Sequence, residues 1–398
     1  MAASLQALTM STYAFEVARA RKDVAALEAI ALRDPRDAEK HVRFAYRRFH
    51  LASLTNDAEH FAALERLIAE LLCNFGPKED ICLLKANVDG RFHRLDGVKE
   101  ALRMSPPLAR RTAGRAILAD VDFQEGRYED ARAALVTLIQ QDRTWDNLAR
   151  LAYWHSKLGD CGEADKLYEA AEHELTAKEM RSFAWLELQR GELALSRGVL
   201  SEAKTHAARA AASFPGHWKN DELEAKVSAA EGKLNEATVL LCTVANEHPK
   251  PELSQAIGEL LAAQGRVDEA RPWFESALAS YLSSADKGKV HYFHHLADFY
   301  ADAGAQPGEA VKWARKDVGL RENFSTQSAL AWALLRNGEI PEGLDWIQRA
   351  LSSNAQDSAL FATAAALYGA AGDVARQAQY QRTAQQINPL NQAVHLHL

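Results

Sequence analysis

Apolar residues recur along this chain with the spacing of helices. Stretches of about 12–14 residues place them at i, i+3, i+4 and i+7, and no alternating strand pattern interrupts them. One phrase punctuates these stretches: Gly126-Arg-Tyr-Glu-Asp-Ala131, Gly159-Asp-Cys-Gly-Glu-Ala164, Gly198-Val-Leu-Ser-Glu-Ala203, Gly232-Lys-Leu-Asn-Glu-Ala237 and Gly265-Arg-Val-Asp-Glu-Ala270. Looser copies stand at Gly304, Gly338 and Gly372. Successive glycines are 33, 39, 34, 33, 39, 34 and 34 residues apart. Each predicts a helix, a tight turn and a second helix. The glycine ends the first helix with positive φ, and the acidic residues behind it favour the next N-terminus.

Other positions keep the same register. Seven residues before each glycine stands a small residue (Ala119, Ala152, Gly191, Ala225, Gly258, Ala297, Ala331, Ala365), which lets two helices approach closely at their crossing. An apolar plug follows two residues after most of them, at Tyr128, Leu200, Leu234, Val267, Ile340 and Val374. A packing position comes twelve after, at Leu138, Ala171, Ala210, Val244, Ala277, Ala350 and Ala384. Pro215, Pro249 and Pro389 stand where the second helix must stop. The two 39-residue spacings predict a lengthened second helix and loop near His173–Arg181 and Ser280–Lys289.

In period and in these positions together, the chain from about Thr112 to Leu390 resembles the tetratricopeptide repeat family. The resemblance implies an all-α, right-handed superhelical solenoid of antiparallel helix pairs, with eight repeats in residues 111–398. It also implies a concave groove, lined by the first helices, that holds a segment of a partner protein. The chain departs from the pattern at Gln306-Pro307-Gly308-Glu309-Ala310, which carries an extra residue, and at Gly343, which replaces the usual Ala. Residues 1–110 lack the phrase and read as an N-terminal helical region of degenerate repeats. Its candidate pairs are Ser11–Arg21 with Asp23–Arg33, Asp37–Leu54 with Asp57–Asn74, and Lys78–Phe92 with Gly97–Met104, and Ser105-Pro106-Pro107 marks its end.

Projecting each first helix puts the residues thirteen, ten and six before the glycine into the groove. These are Asp146, Ala149 and Tyr153; Trp185, Leu188 and Glu192; Lys219, Glu222 and Lys226; Glu252, Gln255 and Glu259; His291, His294 and Asp298; and Ser325, Ser328 and Trp332. Carboxylates, histidines and aromatics predominate from Glu192 onward, a lining suited to a protein or peptide partner that offers Lys or Arg and an apolar anchor. The Lys, Asn and Arg set with which the carboxylate-clamp variant of the family grips acidic chaperone C-termini is absent as a set.

His291, His294, His295 and Asp298 share one helical face, as a zinc site would need, but no HExxH or second ligand cluster accompanies them, so plain groove lining is the reading taken and no metal or cofactor is assigned. Arg36, Lys40, Arg43, Arg47 and His50 form a basic stripe with Asp37 and Glu39 beside it. Residues 1–115 carry 19 Lys and Arg against 15 Asp and Glu, and the remainder 28 against 39, which argues against nucleic acid along the whole length and leaves an N-terminal regulator of that kind as the alternative. No nucleophile elbow, P-loop or dinucleotide motif occurs, so the chain reads as a non-catalytic scaffold or assembly factor, with a metal- or small-ligand-dependent enzyme built across the groove as the weaker alternative.

The 398 residues are 47% hydrophobic and 25% charged, enough for an extended core. No apolar run is long enough to span a membrane. The four cysteines are scattered and suggest reduced thiols, and the start lacks a basic leader segment; the expected setting is a cytoplasmic, bacterial-style protein. Val394, Leu396 and Leu398 are too apolar for a free end, and are expected to fold back or join a homodimer.

Overall fold

A computed structural model describes residues 12–176 and 179–390, and Val394, Leu396 and Leu398 lie outside this range. The described residues form twenty-two helices and no strand. The first six are α1 (Tyr13–Arg33), α2 (Ala38–Thr55), α3 (Ala58–Phe75), α4 (Glu79–Arg91), α5 (Leu95–Met104) and the short α6 (Pro106–Arg110). The predicted repeats follow as α7 (Thr112–Gln124) with α8 (Tyr128–Gln141), α9 (Trp145–Leu158) with α10 (Cys161–His173), and α11 (Met180–Ser196) with α12 (Leu200–Ser213). Next come α13 (Trp218–Ala230) with α14 (Leu234–Glu247), and α15 (Pro251–Ala263) with α16 (Val267–Asp286). The last pairs are α17 (Phe293–Ala301) with α18 (Pro307–Leu320), α19 (Phe324–Arg336) with α20 (Ile340–Leu351), and α21 (Ser358–Ala370) with α22 (Val374–Ile387).

The repeat register survives into packing. All eight small residues are buried, and so are the seven packing positions from Leu138 to Ala384. At Gly258 a Cβ would lie 2.6 Å from the Phe274 ring, so that crossing admits no side chain. Seven of the eight turn glycines have positive φ. Gly304 does not: with the extra residue of this turn, Ala305 takes the left-handed conformation at φ 46 instead.

Three expectations are corrected. The apolar plug fails at Val267 and Val374, which are 60% and 70% exposed because the first turn of α16 and α22 is uncovered there. The proposed split of Ser11–Arg21 from Asp23–Arg33 does not occur, since α1 runs unbroken through Lys22-Asp23 with Val17, Ala20 and Val24 on one buried face. Only one of the two long spacings lengthens a second helix, α16; the other lengthens the following first helix, α11.

The coil also meets itself. The Tyr13 N–H donates to the Pro215 carbonyl at 3.0 Å, and the Gln356 N–H to that of Leu158 at 3.1 Å. Asn323 Nδ2 donates to the Gln124 carbonyl at 2.9 Å and Asn388 Nδ2 to that of Leu195 at 3.3 Å, across 199 and 193 residues. Lys289 pairs with Glu65, and Arg181 Nη1 lies 3.3 Å from His50 Nδ1. These contacts form one seam. They join the start of α1, residues of α2 and α3, and the C-terminal ends of α7, α9 and α11 to the start of α11, the loops before α13, α17, α19 and α21, and the end of α22. One core cluster accordingly joins residues of α1–α4 to residues of α11–α16, and another runs through α4, α5, α6 and α7.

Candidate functional site

The first helices lie side by side, and their residues six before the glycine form a polar strip along the inner wall. Arg150 of α9 reaches back to Asp120 of α7 at 3.1 Å and holds Asp146 at 2.9 Å. Lys226 of α13 reaches Glu192 of α11 at 2.7 Å. The Asp120 side chain keeps 51% of its surface, yet desolvation raises its pKa above the ordinary carboxylate value in spite of Arg150. Glu192 meets the same burial, but Lys226, with Lys219 and Lys157 behind it, outweighs that effect and lowers its pKa.

The predicted lining residues divide into two groups. Trp185 is 41% exposed and meets Trp145 edge-on at 6.1 Å. Tyr153 stands edge-on to Phe123 at 5.6 Å with the Lys157 ammonium 5.4 Å from its ring. Lys219 lies 4.6 Å from the Trp218 ring, and Trp332 Nε1 donates to the Asp302 carboxylate at 3.2 Å. Glu259 accepts from Gln255 Nε2 at 2.9 Å, and Asp298 is half-buried on α17. The position ten before the glycine is corrected: Ala149, Leu188, Glu222 and Gln255 are buried there. Glu222 is committed to Lys219 at 2.7 Å, and Gln255 accepts from the Tyr281 hydroxyl at 3.0 Å. Helical periodicity puts positions thirteen and six, seven residues apart, on one line, and turns position ten towards the flank that the neighbouring helix covers.

The histidines belong to the seam. His93, in the turn after α4, stacks on His291 at 5.5 Å and meets His294 edge-on at 5.9 Å. Burial, with Arg321 next, pushes His93 down to about 3; burial, with Arg91 next, pushes His291 down to about 4. His294 is lowered further by burial and by His295. Among the described residues no group of three or more His, Cys, Asp or Glu side chains has metal-holding geometry.

The basic stripe is neutralised at two of its five members: Lys40 pairs with Asp34 and Asp37, and Arg47 with Asp23 of α1 at 2.9 Å. Its last member, His50, turns to Arg181. Arg190 and Glu224 stand eight residues before their glycines, a position that is apolar in the other repeats, and they do not pair with each other. Arg190 binds Asp165 at 2.9 Å and Glu172 at 3.4 Å beside the fully buried Glu187, whereas Glu224 is exposed. Two misfits at equivalent positions differ because Asp165 and Glu172 of α10 and Glu187 of α11 surround Arg190 with acids, while Glu224 on α13 is exposed.

A further group had no local signal in the sequence. Lys250, in the loop before α15, places Nζ 3.0 Å from the Trp218 ring centroid. Burial brings its pKa down to about 7, with Lys219 and Arg91 assisting and Glu222 and Glu252 opposing. Glu252 is raised by burial, and its Oε2 is buried without a hydrogen bond. These residues meet because separate loops converge on the seam, which no single helix pattern encodes.

No protein-family model matches the chain, and no curated relative matches it in sequence. The described residues form an all-helical array in which successive helices pack as pairs. Solved structures similar to it include the APC/C hetero-tetramer Cut9-Hcn1, at 12% identity over 93% of this chain and 91% of that one, with TM-score 0.40. A tetratricopeptide repeat protein from Parabacteroides merdae matches at 13% identity over 64% and 98%, with TM-score 0.42. The human IFIT1 dimer with PPP-AAAA matches at 12% identity over 92% and 87%, with TM-score 0.47.

Proposed function

We propose that the chain is a non-catalytic protein-interaction scaffold or assembly factor that holds a segment of a partner protein along its inner wall, in the cytoplasm. The observation that carries this reading is Asp120, whose side chain keeps 51% of its surface open while it meets Arg150 of the neighbouring first helix at 3.1 Å. An incoming Lys or Arg can share that carboxylate. Glu259 and Asp298 extend the acidic lining, and Trp185, the exposed indole, supplies the apolar anchor. No described helix is long and apolar enough to cross a membrane. On the same reading residues 1–110 are degenerate repeats that continue the array, supported by the core cluster that runs from α4 to α7.

The test is a set of peptides in which Lys and Arg flank one large apolar residue, titrated against the protein with tryptophan fluorescence as the readout. Binding that weakens at least about tenfold in both Trp185→Ala and Asp120→Asn supports the groove. Binding that ignores both substitutions moves the site to the convex face.

A further inference from the structure

The two faces of α1 differ in character. On one, Tyr13, Val17, Ala20, Val24 and Ala31 are buried, and α2 packs against the helix. On the other, Phe15, Ala18, Lys22, Ala25, Ala29 and Leu32 are all exposed, Phe15 at 59% and Leu32 at 73%. These six follow one another at intervals of 3, 4, 3, 4 and 3 residues, the spacing of a coiled-coil seam, and all but Lys22 are apolar. The alanines allow a second helix to approach closely, and the phenylalanine and leucine stand at the two ends of the seam to anchor it.

The charges on this face have one sign. Arg19, Arg21 and Arg33 flank the seam, and Lys22 stands within it. Arg21, Lys22 and Arg33 form no ion pair with a described carboxylate, and Arg19 has only its neighbour Glu16, at 2.6 Å. The other acids of α1 are engaged or turned away. Asp23 is taken by Arg47 of α2 at 2.9 Å, and Glu28 stands one turn from the buried Val24 and Ala31.

We infer that the outer face of α1 is a docking site for an acidic amphipathic helix of a partner protein, apolar along its own seam and flanked by Asp or Glu. A second copy of this chain would set the same cations against one another. A lipid surface is poorly matched, because alanines expose too little apolar area for insertion. The docked helix extends the array by one element beyond α1. The site lies apart from the inner wall and does not depend on what binds there.

The probe is a fluorescently labelled peptide of three heptads, with Leu and Ala along its seam and Glu at the flanking positions, titrated with the full chain and read by anisotropy. Saturable binding that weakens with added salt is expected. Leu32→Ser and Lys22→Glu should each weaken it about tenfold or more, the first by removing an apolar anchor and the second by reversing a charge. Both positions are exposed, so the fold should stand, and circular dichroism checks this. Trp185→Ala should leave the affinity unchanged. Absence of saturable binding, affinity unchanged in both α1 variants, or loss of binding in Trp185→Ala overturns the site. Sedimentation velocity and flotation with phosphatidylserine vesicles test the other occupants. Self-association or vesicle binding that Leu32→Ser abolishes would give the face to a second copy or to lipid, and would overturn the inference as well.

Discussion

The Tyr128 hydroxyl accepts a hydrogen bond from the backbone N–H of Phe324 at 2.8 Å, although 196 residues separate them. One residue of the early turn thereby satisfies the N-terminus of α19 in the late one. Beside it, a Cβ on Gly126 would stand 2.6 Å from the Glu322 carbonyl oxygen. The coil is closed by backbone contact as well as by side chains, and the closure can be measured.

Gly126 and Gly232 have nearly the same backbone, with φ of 76 and 79, but nothing lies within 4 Å of a Cβ at Gly232. Gly232→Ala should cost about 1 kcal/mol, the left-handed penalty alone. Gly126→Ala should cost clearly more, because the backbone of the opposite turn must move. Urea melts of the two variants decide this, and equal losses would mean that the seam is open in solution.

Acid should loosen the seam. His93 and His217 are pushed down to about 3, and His50 and His291 to about 4, against an ordinary value of 6.5. Burial is the first cause for each, with Arg321 facing His93, Arg181 facing His50 and His217, and Arg91 facing His291. Unfolding frees these rings to take up protons, so their contribution is complete above pH 6.5 and is lost as pH falls from 6.5 towards 4. The urea midpoint should drop through that window, with expansion visible by small-angle scattering. A midpoint that stays level from pH 7.5 to pH 5 contradicts it.

Glu187 is fully buried, with His206 Nδ1 at 2.9 Å, Arg209 at 3.3 Å and Arg190 at 3.8 Å. Removing its charge strands buried cations, so Glu187→Gln should cost about 3 kcal/mol. The double-mutant cycle between Glu187→Gln and Arg190→Met should show coupling, whereas that between Arg190→Met and Glu224→Met should be additive within about 0.5 kcal/mol. Denaturant melts measure both, and coupling in the second cycle would show Glu224 turning inward.

In the groove, Trp185→Ala should weaken a basic partner segment by about 2 kcal/mol or more, while Trp332→Ala should cost less. Trp185 stands open beside Trp145, whereas Trp332 already spends its N–H on Asp302. Isothermal titration with the same peptide ranks the two, and the reverse order would place the anchor at the far end of the wall.

The sequence by itself determined the helices, their pairing and most of their turns. A glycine seven residues beyond a small residue acts through local φ, ψ and one crossing, and those forces reach only a few neighbours along the chain. It also indicated which face of each first helix is polar, and hence Tyr153, Glu192 and Lys226. It did not show that position ten is covered, as at Glu222, because that depends on how closely the next helix packs. Nor did it show that His93 meets His291 or that Lys250 rests on Trp218. Those meetings follow from the summed rotation of several repeats, each small and set by whole interfaces rather than by any one residue. Only the tertiary structure adds those rotations up, and their sum brings the second turn of the coil against the first.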